Sequence, residues 1–186
     1  MAADTPAPRA ADAELDPMQL FSGCHARIHE RMGMMHALAA MLEEGVVPAP
    51  AAARMADTIV RFYEGTVLAH HREEEQELWP MLERAGTDTD AETFKAIGKR
   101  LKDEHHQLEA LWDVITPELR RVGKGKPARI NPEKLDELAK AYDQHAEFED
   151  AVVIPMARFL LSPSELSRLN MSIALRRMPV GLRSYI

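Results

Sequence analysis

Two histidine–glutamate pairs recur in long segments whose apolar residues have the spacing of helices. Each pair has the form His-x-x-x-Glu, and a proline follows ten residues after the histidine. The two copies are His70, Glu74 and Pro80, and His145, Glu149 and Pro155. Because residues four apart lie on one face of a helix, each pair places an imidazole beside a carboxylate. The repeat therefore predicts two helices that each supply half of a metal site.

Composition and helix-breaking residues favour an all-α fold. The chain has 186 residues, is 46% hydrophobic and only 5% aromatic, and contains no run of alternating β-branched residues. Capping residues, glycines and prolines delimit four long helices at about 17–44, 51–84, 89–119 and 131–161, and a shorter fifth helix from 162 to about 179. These lengths predict an up-down-up-down four-helix bundle with a short C-terminal extra helix. We expect a disordered leader at 1–16, the bundle at 17–162, and the C-terminal helix and tail at 163–186.

Charge and cysteine content limit the classes of partner. The net charge is −7 without a concentrated basic patch, which argues against nucleic acid or an anionic membrane as the main partner. Cys24 is the only cysteine, so an intrachain disulfide is excluded. The sequence has no apolar stretch typical of a signal peptide or a membrane span. These features predict a cytoplasmic protein, and the apolar C-terminal helix leaves a homo-oligomer open.

The apolar seam of each long helix contains one inward histidine. The four are His25, His70, His105 and His145, and two seams add Glu74 and Glu149. Burying two carboxylates without a positive partner is costly, and no lysine or arginine occupies a seam. Metal ions can supply the charge, and imidazole with carboxylate suits iron, zinc or copper. Six donors are too many for one tetrahedral zinc, which favours two ions bridged by the carboxylates.

Four further residues lie near the predicted donors. His29, one turn beyond His25, is a candidate seventh ligand, and its counterpart in the third helix is Glu109, a candidate ligand or hydrogen-bond acceptor beside the metals. Tyr63 and Tyr142 lie inward, where we expect them to fill the core with satisfied hydroxyls.

Several other histidines and glutamates fall off the apolar seams. His36, His71 and His106 are expected to be solvated or to lie outside the set of direct ligands. Glu73, Glu75 and Glu77 are expected to form a solvated helix face.

Four segments around the predicted donors match a family pattern. They are residues 24–28, 70–80, 104–108 and 145–150, the last leading to Pro155. Together they resemble the hemerythrin-like family of HHE cation-binding domains. The resemblance implies a four-helix bundle with two iron ions, an oxo- or hydroxo-type bridge, and an open iron position. It implies as ligands the same set of residues: His25, His70, Glu74, His105, His145 and Glu149. Oxygen-carrying members place a second histidine one turn after the third-helix ligand, and this chain differs in having Glu109 there.

The function predicted from the donors and the resemblance is a non-haem di-iron protein that binds or senses oxygen, nitric oxide or peroxide. No catalytic triad, phosphate loop or cofactor fingerprint is present. The alternative is a di-iron enzyme with peroxidase- or oxidase-like activity, or iron donation for cluster repair. A third class is a partner-binding bundle whose metal is only structural.

Overall fold

Five helices make up nearly all of the chain that the computed structural model describes, which is residues 16–42, 46–86 and 91–177. They are α1 (Pro17–Met41), α2 (residues 50–85), α3 (Ala91–Gly123), α4 (residues 132–160) and α5 (Pro163–Arg177). No strand occurs within these ranges, so the predicted all-α class is confirmed. No helix in the described ranges is both long enough and apolar enough to cross a membrane.

Neighbouring long helices run antiparallel. Between α1 and α4, His25 lies beside Glu149 near one end, whereas His36 lies 3.7 Å from Asp136 further along. The chain numbers therefore rise on one helix as they fall on the other. Helix α2 contacts α1 and α3, and α3 contacts α4, which closes a ring in chain order. This is the predicted up-down-up-down bundle with an additional C-terminal helix.

Side-chain caps fix where helices α4 and α5 begin. Asn131 accepts hydrogen bonds from the backbone N–H groups of Glu133 and Lys134 at 2.9 and 3.3 Å, as its position before Pro132 predicts. At α5, the Ser162 backbone N–H donates to Glu165 at 2.8 Å, and the Glu165 N–H donates to the Ser162 hydroxyl at 3.3 Å. These two bonds form a reciprocal cap at the start of α5.

Some predicted boundaries differ from the structure or fall outside it. Helix α1 ends at Met41 rather than Glu44, because Leu42 already has an extended backbone with φ −92° and ψ 122°. The predicted leader lies outside the described residues except for Asp16, which caps α1 by accepting from the Met18 N–H at 3.0 Å. Thr89, the predicted start of the third long helix, and the tail beyond residue 177 also lie outside them.

The core consists of two apolar clusters separated by a polar layer. One cluster includes Ile28, Leu108 and Leu138, and the other includes Phe21, Leu78 and Leu101. Along each of the four long helices, buried histidines or glutamates lie between the residues of the two clusters. The polar layer is therefore enclosed by hydrocarbon on both sides along the bundle axis.

Helix α5 covers the end of the bundle where α1 begins. Its Leu169 and Ile173 are each 1% exposed and belong to the same cluster as Met18 and Phe21. Burial at this level removes a leucine or isoleucine side chain almost completely from water, which stabilises by about 1.5–3 kcal/mol each. The apolar face of α5 therefore has its partner within the bundle.

Three π-helical turns interrupt the two helices that carry the histidine–glutamate pairs. They are Tyr63–Val67 and Glu74–Leu78 in α2, and Glu149–Val153 in α4. The second and third turns begin at the two glutamates and end two residues before Pro80 and Pro155. A proline has no N–H and its ring collides with the carbonyl four residues earlier, and a wider turn relieves both problems.

Close packing of α2 against α3 leaves no room for a side chain at Gly98. A Cβ atom there would overlap the indole of Trp79, which is 9% exposed. We expect Gly98→Ala to lower the free energy of unfolding by about 1–3 kcal/mol. At Gly33 in α1 nothing lies within 4 Å of the added Cβ, so Gly33→Ala is expected to raise stability by about 0.5–1 kcal/mol. Urea unfolding of both variants checks this pair, and changes of the same sign would contradict it.

Candidate metal centre

Seven buried side chains meet in the polar layer and come from all four long helices. They are His25, His70, His71, Glu74, His105, His145 and Glu149, and none is more than 7% exposed. Two groups of four have potential donor atoms within 4.8 Å of one another: His25, His70, Glu74 and Glu149, and Glu74, His105, His145 and Glu149. The structure thus brings together all six residues chosen from the sequence. Both glutamates belong to both groups.

Each glutamate lies next to imidazoles of both groups. The Glu149 carboxylate has Oε2 at 2.9 Å from His25 Nε2 and Oε1 at 3.5 Å from His145 Nε2. The Glu74 carboxylate has Oε1 at 3.2 Å from His70 Nδ1 and Oε2 at 3.3 Å from His105 Nε2. Each carboxylate therefore has one oxygen near each pair of histidines, an arrangement that suits a bridge between two cations.

Burial disfavours the ionised form of both glutamates. Burial raises the pKa of Glu74 well above its usual range, and the nearby charge of Glu149 raises it further. Burial also disfavours the Glu149 carboxylate, but the imidazoles of His145, His25 and His70 outweigh it and hold its pKa below the usual range. No lysine or arginine is buried among the described residues. Burial and the charge of Glu149 thus disfavour ionisation of Glu74, whereas cations in the layer would favour the ionised form of both glutamates.

The buried imidazoles differ in how readily they take a proton. Burial lowers the pKa of His70 well below its usual range and lowers that of His71 to about 4. Burial also disfavours protonation of His25, but its hydrogen bond to Glu149 and the charge of Glu149 raise its pKa overall. His70 and His71 are thus neutral at neutral pH, which is the state that can donate to a metal.

Unpaired polar atoms converge on the layer. Buried side-chain atoms without a hydrogen-bond partner are both ring nitrogens of His70, Nε2 of His71, His105 and His145, Oε2 of Glu74, and Oε1 of Glu149. Outside the layer, Arg31 Nε is the one other such atom in the described ranges. A buried polar atom without a partner costs about 1–3 kcal/mol. Transition-metal ions accept nitrogen and carboxylate donors of this kind, so the residues fit a metal centre.

Carboxylates on neighbouring helices hold the outward nitrogen of four imidazoles. The Nδ1 donor–acceptor pairs are His25–Asp150 at 3.2 Å, His71–Glu109 at 3.3 Å, His105–Glu75 at 2.8 Å and His145–Glu104 at 2.9 Å. A carboxylate on Nδ1 fixes the ring orientation and leaves Nε2 free to bind metal. Glu75, predicted to lie on a solvated helix face, is 31% exposed, and its carboxylate also holds His105. Asp150 and Glu104 were not singled out from the sequence, although each is adjacent to a predicted ligand.

His71 was expected to be solvated or to lie outside the set of direct ligands, and the first alternative is wrong because its side chain is only 2% exposed. Its ring joins His105 and His145 in a third group of close donor atoms. Glu73, predicted to be solvated, is 1% exposed. Both residues follow the π-helical turn at Tyr63–Val67, which adds a residue to one turn of α2.

The remaining histidines lie outside the donor groups, and the two inward tyrosines lie in the core. His36 and His106 are exposed. His29, the candidate seventh ligand, is also exposed and belongs to none of the donor groups. The Tyr142 hydroxyl donates to the Tyr63 hydroxyl at 2.8 Å, which in turn donates to the Leu108 carbonyl at 3.5 Å. These tyrosines are core residues with satisfied hydroxyls.

Two surface cavities reach the layer from opposite faces of the bundle. The cavity between α1 and α4 has a volume of about 290 Å³ and is lined by His25, Tyr142 and Asp150 among others. The cavity between α2 and α3 has a volume of about 560 Å³ and reaches Glu74 and His105. Both are large enough for small molecules.

The fold and the buried donors together define a metal-binding four-helix bundle. The family model of the hemerythrin HHE cation binding domain matches residues 16–157, and the chain belongs to that family. A search of curated proteins finds no match to the chain. Membership implies metal binding, with iron as the expected metal, and the clusters of histidine and glutamate could hold it.

Proposed function

We propose that this protein is a non-haem di-iron protein that binds or senses a small ligand such as oxygen, nitric oxide or peroxide. The observation that carries the proposal is the sharing of two buried glutamates by two sets of histidines. A single ion would use one set and leave the imidazoles of the other without partners. Two ions satisfy both sets and neutralise both carboxylates.

In this proposal His25 and His70 hold one ion, His105 and His145 hold the other, and Glu74 and Glu149 contribute to both. Each ion then has four protein donors, fewer than the six that an octahedral ion accepts. Bound iron supplies redox chemistry and a vacant coordination position for an incoming ligand.

The surroundings of the layer restrict the ligand to small molecules. The donor residues are at most 7% exposed, and apolar clusters lie on both sides of them along the bundle axis. A peptide or nucleotide cannot reach donors buried to this extent without opening the bundle. Diatomic molecules and peroxide can, and the apolar surroundings also limit the water that competes with them.

Optical spectroscopy of iron-loaded protein tests the proposal. We expect two iron ions per chain and a charge-transfer band in air-exposed protein that shifts on addition of azide or nitric oxide. The His36→Ala variant is the control, because His36 is exposed and remote from the donor groups. If the protein binds two iron ions but its spectrum does not change on addition of azide, nitric oxide or peroxide, ligand binding at the iron is contradicted. A protein that takes up only zinc, without any band, would instead support a structural metal.

A further inference from the structure

We propose that His71 is a direct donor to the ion held by His105 and His145, so that the two metal positions are unequal. This inference rests on the proposed di-iron function and specifies the donors to one of the two ions. It assigns five protein donors to one ion and four to the other.

The position of the His71 ring supports a direct contact. A nitrogen of His71 lies within 4.8 Å of nitrogens of both His105 and His145. Its ring stacks on that of His105 with centroids 4.1 Å apart, and the His145 ring lies edge-on at 6.0 Å. The Nε2 atom is buried and has no hydrogen-bond partner. An ion bound by these three nitrogens would give His71 Nε2 its missing partner, and it requires the stacked His71 and His105 rings to tilt toward a common point.

The other nitrogen of His71 is held in the same way as those of three proposed ligands. Its Nδ1 donates to Glu109 at 3.3 Å, while His25, His105 and His145 each donate from Nδ1 to a carboxylate at 2.8–3.2 Å. Such a pair is the usual support of a metal-binding imidazole, because it fixes the ring and strengthens the opposite nitrogen as a donor. Glu109 is therefore a positioning residue for His71.

No third imidazole is available to the ion held by His25 and His70. Its group contains only these two histidines and the shared Glu74 and Glu149, and the remaining described histidines are exposed. That ion would be held by four protein donors, one fewer than the other ion. The cavity of about 290 Å³ between α1 and α4 opens at His25, on the same side of the layer.

Titration of metal-free protein with Co²⁺ tests the assignment, with calorimetry and visible absorption as readouts. We expect wild type to bind two Co²⁺ ions with different affinities. His71→Ala should weaken one of them at least tenfold and leave the other within about twofold, and Glu109→Gln should weaken the same ion by less. His106→Ala, which removes an exposed histidine beside His105, is the matched control and should behave as wild type.

The outcomes separate this assignment from the function on which it rests. Two Co²⁺ ions in wild type with unchanged affinities in His71→Ala would overturn the role of His71 and leave the di-metal site intact. Fewer than two ions in wild type would overturn both.

Discussion

Replacement of Glu149 by alanine is expected to reduce the metal content from two ions per chain to one or none, and Glu74→Ala should do the same. Each glutamate belongs to both four-residue donor groups, so each substitution removes a donor from both ions at once. Loss of a histidine removes a donor from only one. Elemental analysis after loading with iron and gel filtration measures the effect directly.

Matched controls distinguish loss of a ligand from a general effect of the substitution. Glu147→Ala makes the same change on α4 at an exposed position two residues before Glu149, and His36→Ala removes an exposed histidine. Both should retain two ions. Circular dichroism of each variant establishes that the helices are formed. Equal metal content in Glu74→Ala, Glu149→Ala and the controls would show that the proposed ligand set is wrong.

Acidification is expected to release the metal, because protons compete with metal ions for the imidazole nitrogens. Release should occur as the pH falls through the range in which free histidine becomes charged. This release is measured by lowering the pH of loaded protein in steps and determining the free metal after ultrafiltration at each pH. Retention of both ions well below that range would contradict imidazole ligation.

The metal-free protein should also lose stability over an overlapping range of pH. Burial holds the pKa of His71 at about 4 in the folded protein, below its ordinary value of 6.5. The unfolded chain therefore binds more protons between these values, and the contribution of His71 to the free energy of unfolding is lost as the pH falls from about 6.5 to about 4. The full loss is on the order of 3 kcal/mol. His70, whose pKa is also lowered by burial, acts in the same direction.

A comparison of wild type with a His71 variant separates the contribution of His71 to the free energy of unfolding from those of groups that act in the opposite direction. The raised pKa of Glu74 means that its contribution to stability is lost as the pH rises, and so is that of His25. Urea unfolding of metal-free wild type and His71→Ala between pH 7 and about 4 should show wild type losing more stability on acidification. Parallel curves for the two proteins would contradict the assigned pKa of His71.

The predicted ligands could be found from the sequence because they lie on regular helical seams. His25, His105 and His145 each continue an apolar stripe with steps of three and four residues, and the structure buries all three. His71 could not be found in this way. Both residues of the His70–His71 doublet are buried, in the segment that follows the π-helical turn at Tyr63–Val67. A pattern with a fixed period of 3.6 assigns only one of them to the core.

The carboxylates that hold the imidazoles depend on contacts between helices, which a sequence pattern does not contain. Glu75 of α2 reaches His105 of α3, and Glu104 of α3 reaches His145 of α4. Each pairing requires the axial alignment of two helices to within a fraction of a turn. Spacing along one helix can place a glutamate on the surface but cannot show that a neighbouring helix will bring a histidine to it.

These inter-helix pairs tie the existence of the donor set to complete assembly of the bundle. Asp150 of α4 holds His25 of α1, and Glu109 of α3 holds His71 of α2. Every long helix therefore takes part in at least one carboxylate–imidazole pair with an adjacent helix. A half-assembled intermediate with one helix displaced would present scattered single donors of low affinity. Metal uptake therefore reports selectively on the finished tertiary structure, and its binding free energy is added to that state alone.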